Sequence, residues 1–179
     1  LIKAGHTVTV LDNLSRAGSA KNLRWLQDQN DTSRLNFIQA DVRDFDAMIA
    51  ATRDQEAVFH LAAQVAVTTS IANPREDFEI NALGTLNVLE AARLSGQKPL
   101  VVYASTNKVY GGMADAKFVE RDTRWEYLDL PRGLSESYPL DFHSPYGCSK
   151  GAGDQYVHDY ARIYDIPTVV FRQSCIYGP

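Results

Sequence analysis

Cysteine is nearly missing from this chain: Cys148 and Cys175 are the whole complement of 179 residues. Two thiols do not make a disulfide framework, so the expectation is a reduced, cytoplasmic protein whose cysteines are inert buried thiols. Histidine is sparse as well, and His6, His60, His143 and His158 show no ligand spacing with cysteine, so no metal site is expected. No apolar run approaches the ~20 residues of a membrane-spanning helix, and no charged flank precedes an apolar signal region. Charge of one sign does not dominate: 18 Lys and Arg against 22 Asp and Glu leave a formal charge of -4, with the basic residues scattered. That pattern offers no footprint for nucleic acid or for an acidic membrane. Repeats and low-complexity tracts are absent too. What is left is an ordinary soluble composition of a length suited to one domain.

Two periods alternate along the chain. The runs His6–Asp12 (HTVTVLD), Leu35–Asp41 (LNFIQAD), Glu56–Ala63 (EAVFHLAA), Pro99–Ser105 (PLVVYAS) and Pro167–Arg172 (PTVVFR) predict strands. Between them, Ser19–Gln29, Asp44–Arg53, Arg75–Leu94 and a stretch from about Pro145 to Tyr164 carry apolar residues at helical spacing. Strands alternating with helices predict an α/β fold, a parallel sheet covered on both faces. Right-handed crossovers make it a doubly wound, Rossmann-type sheet with its ligand outside the carboxyl ends of the strands. That rule singles out Asp12, Asp41, Leu61 to Gln64, Ser105 to Asn107 and Gln173 to Cys175. The polar and aromatic stretch from Met113 to Phe142 is expected to be irregular, either a cover over a pocket or inert decoration. LIKAGH reads as the end of a helix and IYGP as the exit of a strand, so residues 1–179 are expected to be a Rossmann domain truncated at both ends.

In SPYGCSK, Tyr146 precedes Lys150 by four positions, which on a helix places the phenol and the ammonium on one face. A neighbouring cation favours the phenolate of a tyrosine whose ordinary pKa is about 10, and the helix N-terminus favours negative charge too. The pair then serves as a base. The alternative is a partly buried aromatic ring with a lysine stem running past it. Asp12, at a strand end, suits the ribose of a dinucleotide and repels the extra phosphate of NADP. Equally, it suits a turn.

The order VLDNLSR, ADVRD, HLAAQ, NALGTLNVLEAA, YASTNKVYG, SPYGCSK and VVFRQSCIYGP resembles the extended short-chain dehydrogenase/reductase family of nucleotide-sugar enzymes along the whole chain. TTSIANP, STNKVYG and DFHSPYGCSKGAGDQY look most like the branch that epimerises C2 of CDP-linked 3,6-dideoxyhexoses. The resemblance implies an NAD-dependent epimerase in which Thr106, Tyr146 and Lys150 are catalytic. Asp12 and Asn13 would hold the adenosine ribose, Asp41 and Val42 the adenine, and Leu61, Ala62, Ala63 and Gln64 the pyrophosphate and second ribose. Asn81 would lie beneath them, although it and Thr85 could instead brace their own helix. Gln173 and Ser174 would approach the nicotinamide, and Thr106, Asn107 and Tyr146 the sugar.

By the same resemblance, Tyr146 takes a proton from a sugar hydroxyl while hydride passes to tightly held NAD, and hydride later returns to the opposite face. Dehydratases of the family follow the catalytic Thr with Asp and Glu, whereas this chain has Asn107 and Lys108. A UDP-sugar 4-epimerase, a ketosugar reductase and a non-catalytic nucleotide-binding module are the other readings. The family's first strand, its glycine-rich loop and its C-terminal substrate region are not among these motifs, and a homo-oligomer is the implied assembly.

Overall fold

The computed structural model describes residues 1–29, 31–174 and 176. Five parallel strands alternate with helices: β1 (Val8–Asp12), α1 (Ser19–Gln29), β2 (Leu35–Gln39), α2 (Phe45–Thr52), β3 (Ala57–His60), α3 (Val67–Ala72), α4 (Pro74–Phe78), α5 (Gly84–Leu94) and β4 (Leu100–Thr106). A short antiparallel hairpin of β5 (Phe118–Glu120) and β6 (Trp125–Tyr127) interrupts that alternation before α6 (Ser144–Tyr164) and β7 (Thr168–Gln173). The α/β fold class anticipated from the two periods is the one observed.

The parallel strands form two sheets. β1 pairs with β2, and β3 with β4 and β7, with Val8 opposite Leu35, Phe59 opposite Val102 and Thr106 opposite Gln173. Among the described residues no ladder joins β1 to β3. The core follows that division. Leu89, Ala92, Val101, Tyr103, Val157, Tyr160 and Ile166 fill the space between α5, α6 and β4, while Val42, Met48, Val88 and Ala91 hold α2 against α5. By contrast, Phe59 on the far side of β3 is 55 % exposed.

Three local differences from the pattern have physical causes. Arg75–Leu94 is not one regular helix, because a π-helical turn over Glu79–Leu83 separates α4 from α5. The wider turn carries Asn81, and the following Gly84 sits where a Cβ would lie 2.7 Å from Cγ2 of Val42. Helix α3 escapes the periodicity because its six residues are too few to show one. The expected irregular insertion contains β5 and β6, three residues each, held by a Phe118–Tyr127 ring contact at 4.9 Å and by Arg121 and Arg124 on Glu126.

Candidate active site

The carboxyl ends of β1 and β2 meet through side chains. Asp12 closes β1 and accepts the Leu14 amide at 2.7 Å, shaping the turn that presents Asn13. The Asn13 amide donates to Asp41 at 2.8 Å. Asp41 also receives the Arg43 backbone amide and its guanidinium, at 3.0, 2.8 and 2.9 Å, and these bonds hold its carboxyl well below the usual range despite the opposing effect of burial. Arg43 is a cation that the strand-exit rule passed over, although it lies two positions beyond Asp41 in ADVRD. Val42 is placed differently from the expectation: its side chain is core, and its carbonyl accepts the Asn87 amide at 2.9 Å.

Beyond β3, Leu61 and Ala62 are exposed and Ala63 half-buried, so small side chains line an open strand exit. Gln64 turns inward. Its backbone amide donates to Asn81 Oδ1 at 2.9 Å, and its side-chain amide donates to Ala66 O at 2.9 Å and to Asp77 at 2.8 Å. Asn81 is buried and its Nδ2 is shared among Gln64 O, Asp77 and Ser149, at 3.0, 3.1 and 3.1 Å. Ser149 Oγ in turn donates to Asp77 at 2.5 Å. The Asn81 amide group thus has its hydrogens taken by protein, and the residue braces the loop after β3. The Gln64 side chain serves the same brace. Thr85 bonds the Asn81 carbonyl at 2.6 Å and His60 Nε2 at 2.9 Å, so it too is structural.

Helix α6 carries Tyr146 and Lys150. Pro145 occupies its first turn, and Ser144, in the left-handed region at φ 64°, accepts the Gly147 amide at 3.2 Å. The half-buried Tyr146 donates its backbone amide to Ser70 of α3 at 3.1 Å, which fixes the helix start against the loop after β3. Lys150 is only 3 % exposed, and its Nζ lies 4.2 Å from the centre of the Tyr103 ring on β4. Burial pushes its pKa down to about 8, while the carboxylates of Asp154 and Asp77 work to keep its charge. The His60 ring joins this cluster, its centre 5.4 Å from that of Tyr103 and its plane tilted by 30°. Burial and the Lys150 charge push the imidazole down to about 3, so it is neutral and adds no second cation.

Thr106 ends β4, where it caps the turn Asn107–Tyr110 by accepting the Lys108 amide at 3.2 Å, and it lies in register with Gln173. Gln173 and Ser174 are exposed at that edge, and Cys175 lies outside the described residues. Cys148 does not show the burial expected of it and is exposed. The strand exits thus bring together Asn13 with Asp41, Gln64 with Asn81, and Thr106 with Gln173. Sequence reasoning missed Asp77, Tyr103, Ser149 and Asp154. Only Asp154 left a signal, being four residues after Lys150 on the same helical face. Among the described residues, no group of three His, Cys, Asp or Glu gathers to hold a metal, and no helix is long and apolar enough to cross a membrane.

A family model described as GDP-mannose 4,6 dehydratase matches residues 1–179. The chain belongs to that family. Its membership of the GDP-mannose 4,6-dehydratase family accords with the resemblance to extended short-chain dehydrogenase/reductases. A CDP-paratose 2-epimerase from Salmonella typhi is 49 % identical over 179 residues, 99 % of this chain and 52 % of the relative. A UDP-glucose 4-epimerase from Thermus thermophilus, solved in complex with NAD, matches with a TM-score of 0.73 and 33 % identity over 96 % of this chain and 48 % of its own. A dTDP-glucose 4,6-dehydratase from Streptomyces venezuelae, with NAD and TYD bound, has a TM-score of 0.74 and 32 % identity over 91 % of this chain and 44 % of its own. The chain spans about half the length of these relatives. These solved neighbours share the Rossmann-type fold of this chain.

Proposed function

We propose that the full-length protein carrying this segment is a cytoplasmic nucleotide-sugar epimerase that interconverts CDP-paratose and CDP-tyvelose by transient oxidation at C2. The observation that carries this reading is the 49 % identity, sustained along the whole chain, with a relative named CDP-paratose 2-epimerase. A UDP-glucose 4-epimerase from Mycolicibacterium smegmatis stands at 34 % over the same span. Dehydration is disfavoured by chemistry, since elimination of water asks for an added acid and base and the two positions after Thr106 are Asn107 and Lys108.

NAD fits the residues present. Asn13 and Asp41 form a polar corner for the adenosine end, with Asp12 beside them for the ribose. Leu61, Ala62 and Ala63 let a dinucleotide approach the backbone after β3, while Gln173 and Ser174 border the nicotinamide end. When bound, NAD supplies a hydride acceptor that can also return the hydride. The chain supplies the proton chemistry and the placement. Tyr146 takes the proton from the sugar hydroxyl, and Thr106 orients that hydroxyl with Asn107 at its flank. Lys150, still largely protonated at neutral pH, keeps a cation one helical turn from the phenol and favours its ionised form.

Residues 1–179 form part of a Rossmann domain in this reading. The edges of β1 and β3 that have no strand partner among the described residues would receive a further parallel strand with the glycine-rich phosphate loop at its end. The exposed Leu94, Tyr156 and Ile163 on α5 and α6 suit a homo-oligomer, which gel filtration of the full-length protein tests.

The deciding experiment incubates the full-length protein with CDP-paratose, CDP-tyvelose and UDP-glucose without added cofactor and resolves the products by NMR. Interconversion of the CDP-sugars supports the assignment, and epimerisation of only the UDP-sugar defeats it. Tyr146→Phe should abolish turnover, a loss of roughly 100-fold or more, while NAD stays bound.

A further inference from the structure

One guanidinium fastens four parts of the molecule, and the proton chemistry has no use for it. Arg172 of β7 directs Nε and Nη2 to the two carboxylate oxygens of Asp154, each at 2.9 Å. Its Nη1 points the other way, to the Tyr110 hydroxyl at 3.0 Å and the Glu136 carbonyl at 3.1 Å. Asp154 is completely buried on α6, one turn beyond Lys150, and also accepts the Ser105 hydroxyl of β4 at 2.7 Å and the Gln155 amide at 3.0 Å. His158 Nε2 lies 3.7 Å away. Tyr110 belongs to the turn that Thr106 caps. Its ring carries the Arg172 guanidinium at 5.2 Å and meets Tyr138 edge-on at 6.1 Å.

A groove of about 740 Å³ is lined by Arg172 itself, by Asn107 and Lys108, and by Phe118, Tyr127 and Glu136 of the insertion. That volume lies within the range of small-molecule sites, roughly 300–1,000 Å³. Only the planar fork of arginine spans the arrangement. Its bidentate grip on Asp154 sets the plane of the group, and the remaining nitrogen is then aimed at the insertion.

We propose that Arg172 is a positioning residue that latches the 113–142 segment to the helix bearing Tyr146 and Lys150, making that segment a fixed wall of the groove that receives the nucleotide-sugar. This rests on the reading of the protein as a nucleotide-sugar epimerase. The latch works by geometry. A lysine at the same place still neutralises Asp154, yet has no second arm for Tyr110 and Glu136.

The test is Arg172→Lys in the full-length protein, with hydrogen exchange and steady-state kinetics on CDP-paratose. Loss of two hydrogen bonds should speed exchange of the amides at 134–138 about tenfold, leave α6 protected, and raise KM about tenfold while kcat changes less than threefold. Tyr110→Phe removes one of the two contacts and should move both readouts the same way by a smaller factor, which keeps the question open to decision if Arg172→Lys fails to fold. Unchanged exchange at 134–138, or a fall in kcat with KM unaltered, overturns the latch. A wild-type protein inactive on every nucleotide-sugar overturns the functional reading instead, while the exchange data still decide whether the segment is held by Arg172.

Discussion

The two sides of the molecule solve the problem of buried polarity differently. Between β4, α6 and β7, carboxylates lie in the interior with every oxygen assigned: Asp154 to Arg172, Ser105 and Gln155, and Asp77 to Gln64, Asn81 and Ser149. Around β1 and β2 the polar residues stay near the surface, where Asp41 is tied to a half-exposed Arg43 and to an exposed Asn13. The first arrangement holds reactive groups in place without help. In the second, Asp41 has both oxygens bonded as well, but its partners lie at the surface.

That contrast can be broken most severely at Asp154. Asp154→Ala leaves a nearly buried guanidinium without its carboxylate, and urea denaturation of the full-length protein should register a loss of about 3–5 kcal/mol. A loss below about 1 kcal/mol would put the pair in the same class as the surface one.

A second cut sharpens the comparison through pH. The folded-state pKa of Lys150, about 8, is below the ordinary 10.5, so between those values the unfolded chain binds a proton that the folded one does not. The folded form therefore gains stability as pH rises through that window, by up to roughly 3 kcal/mol, and carries the penalty of a buried cation below it. Lys150→Met should flatten the dependence of stability on pH between about 8 and 10.5. An identical slope in the variant would mean that the ammonium is solvated. The smallest effect belongs to the exposed side. Arg43→Ala should change stability by less than about 1 kcal/mol, since a surface ion pair is screened, and a thermal melt at two salt concentrations checks it.

The positions that read well from the sequence are those whose neighbours lie nearby in the chain. Alternating β-branched residues located all five parallel strands, and the strand-exit rule led to Asp12, Asp41, Thr106 and Gln173. The helix expected to carry Tyr146 and Lys150 is observed as α6. What stayed hidden depends on partners far along the chain. Asp77 meets Ser149 across 72 positions, and Asp154 meets Ser105 across 49. Arg172 reads in VVFRQ as one more member of an alternating strand, because no local pattern says that its guanidinium will find a buried acid. Asn81 left two readings open, a cofactor contact or a brace, for the same reason: the distant partners of its amide were not legible. The hairpin in the insertion was missed because two three-residue strands carry too short an alternation to stand out.

Tyr103 has a last consequence, through Gly153. A Cβ at that position of α6 would come within 2.5 Å of the Tyr103 hydroxyl, and one at Gly151 within 2.6 Å of the Phe142 ring. Without side chains at these two points, α6 packs directly against Tyr103 and Phe142. A bulkier residue at either position would therefore have to displace an aromatic ring before α6 could keep its place.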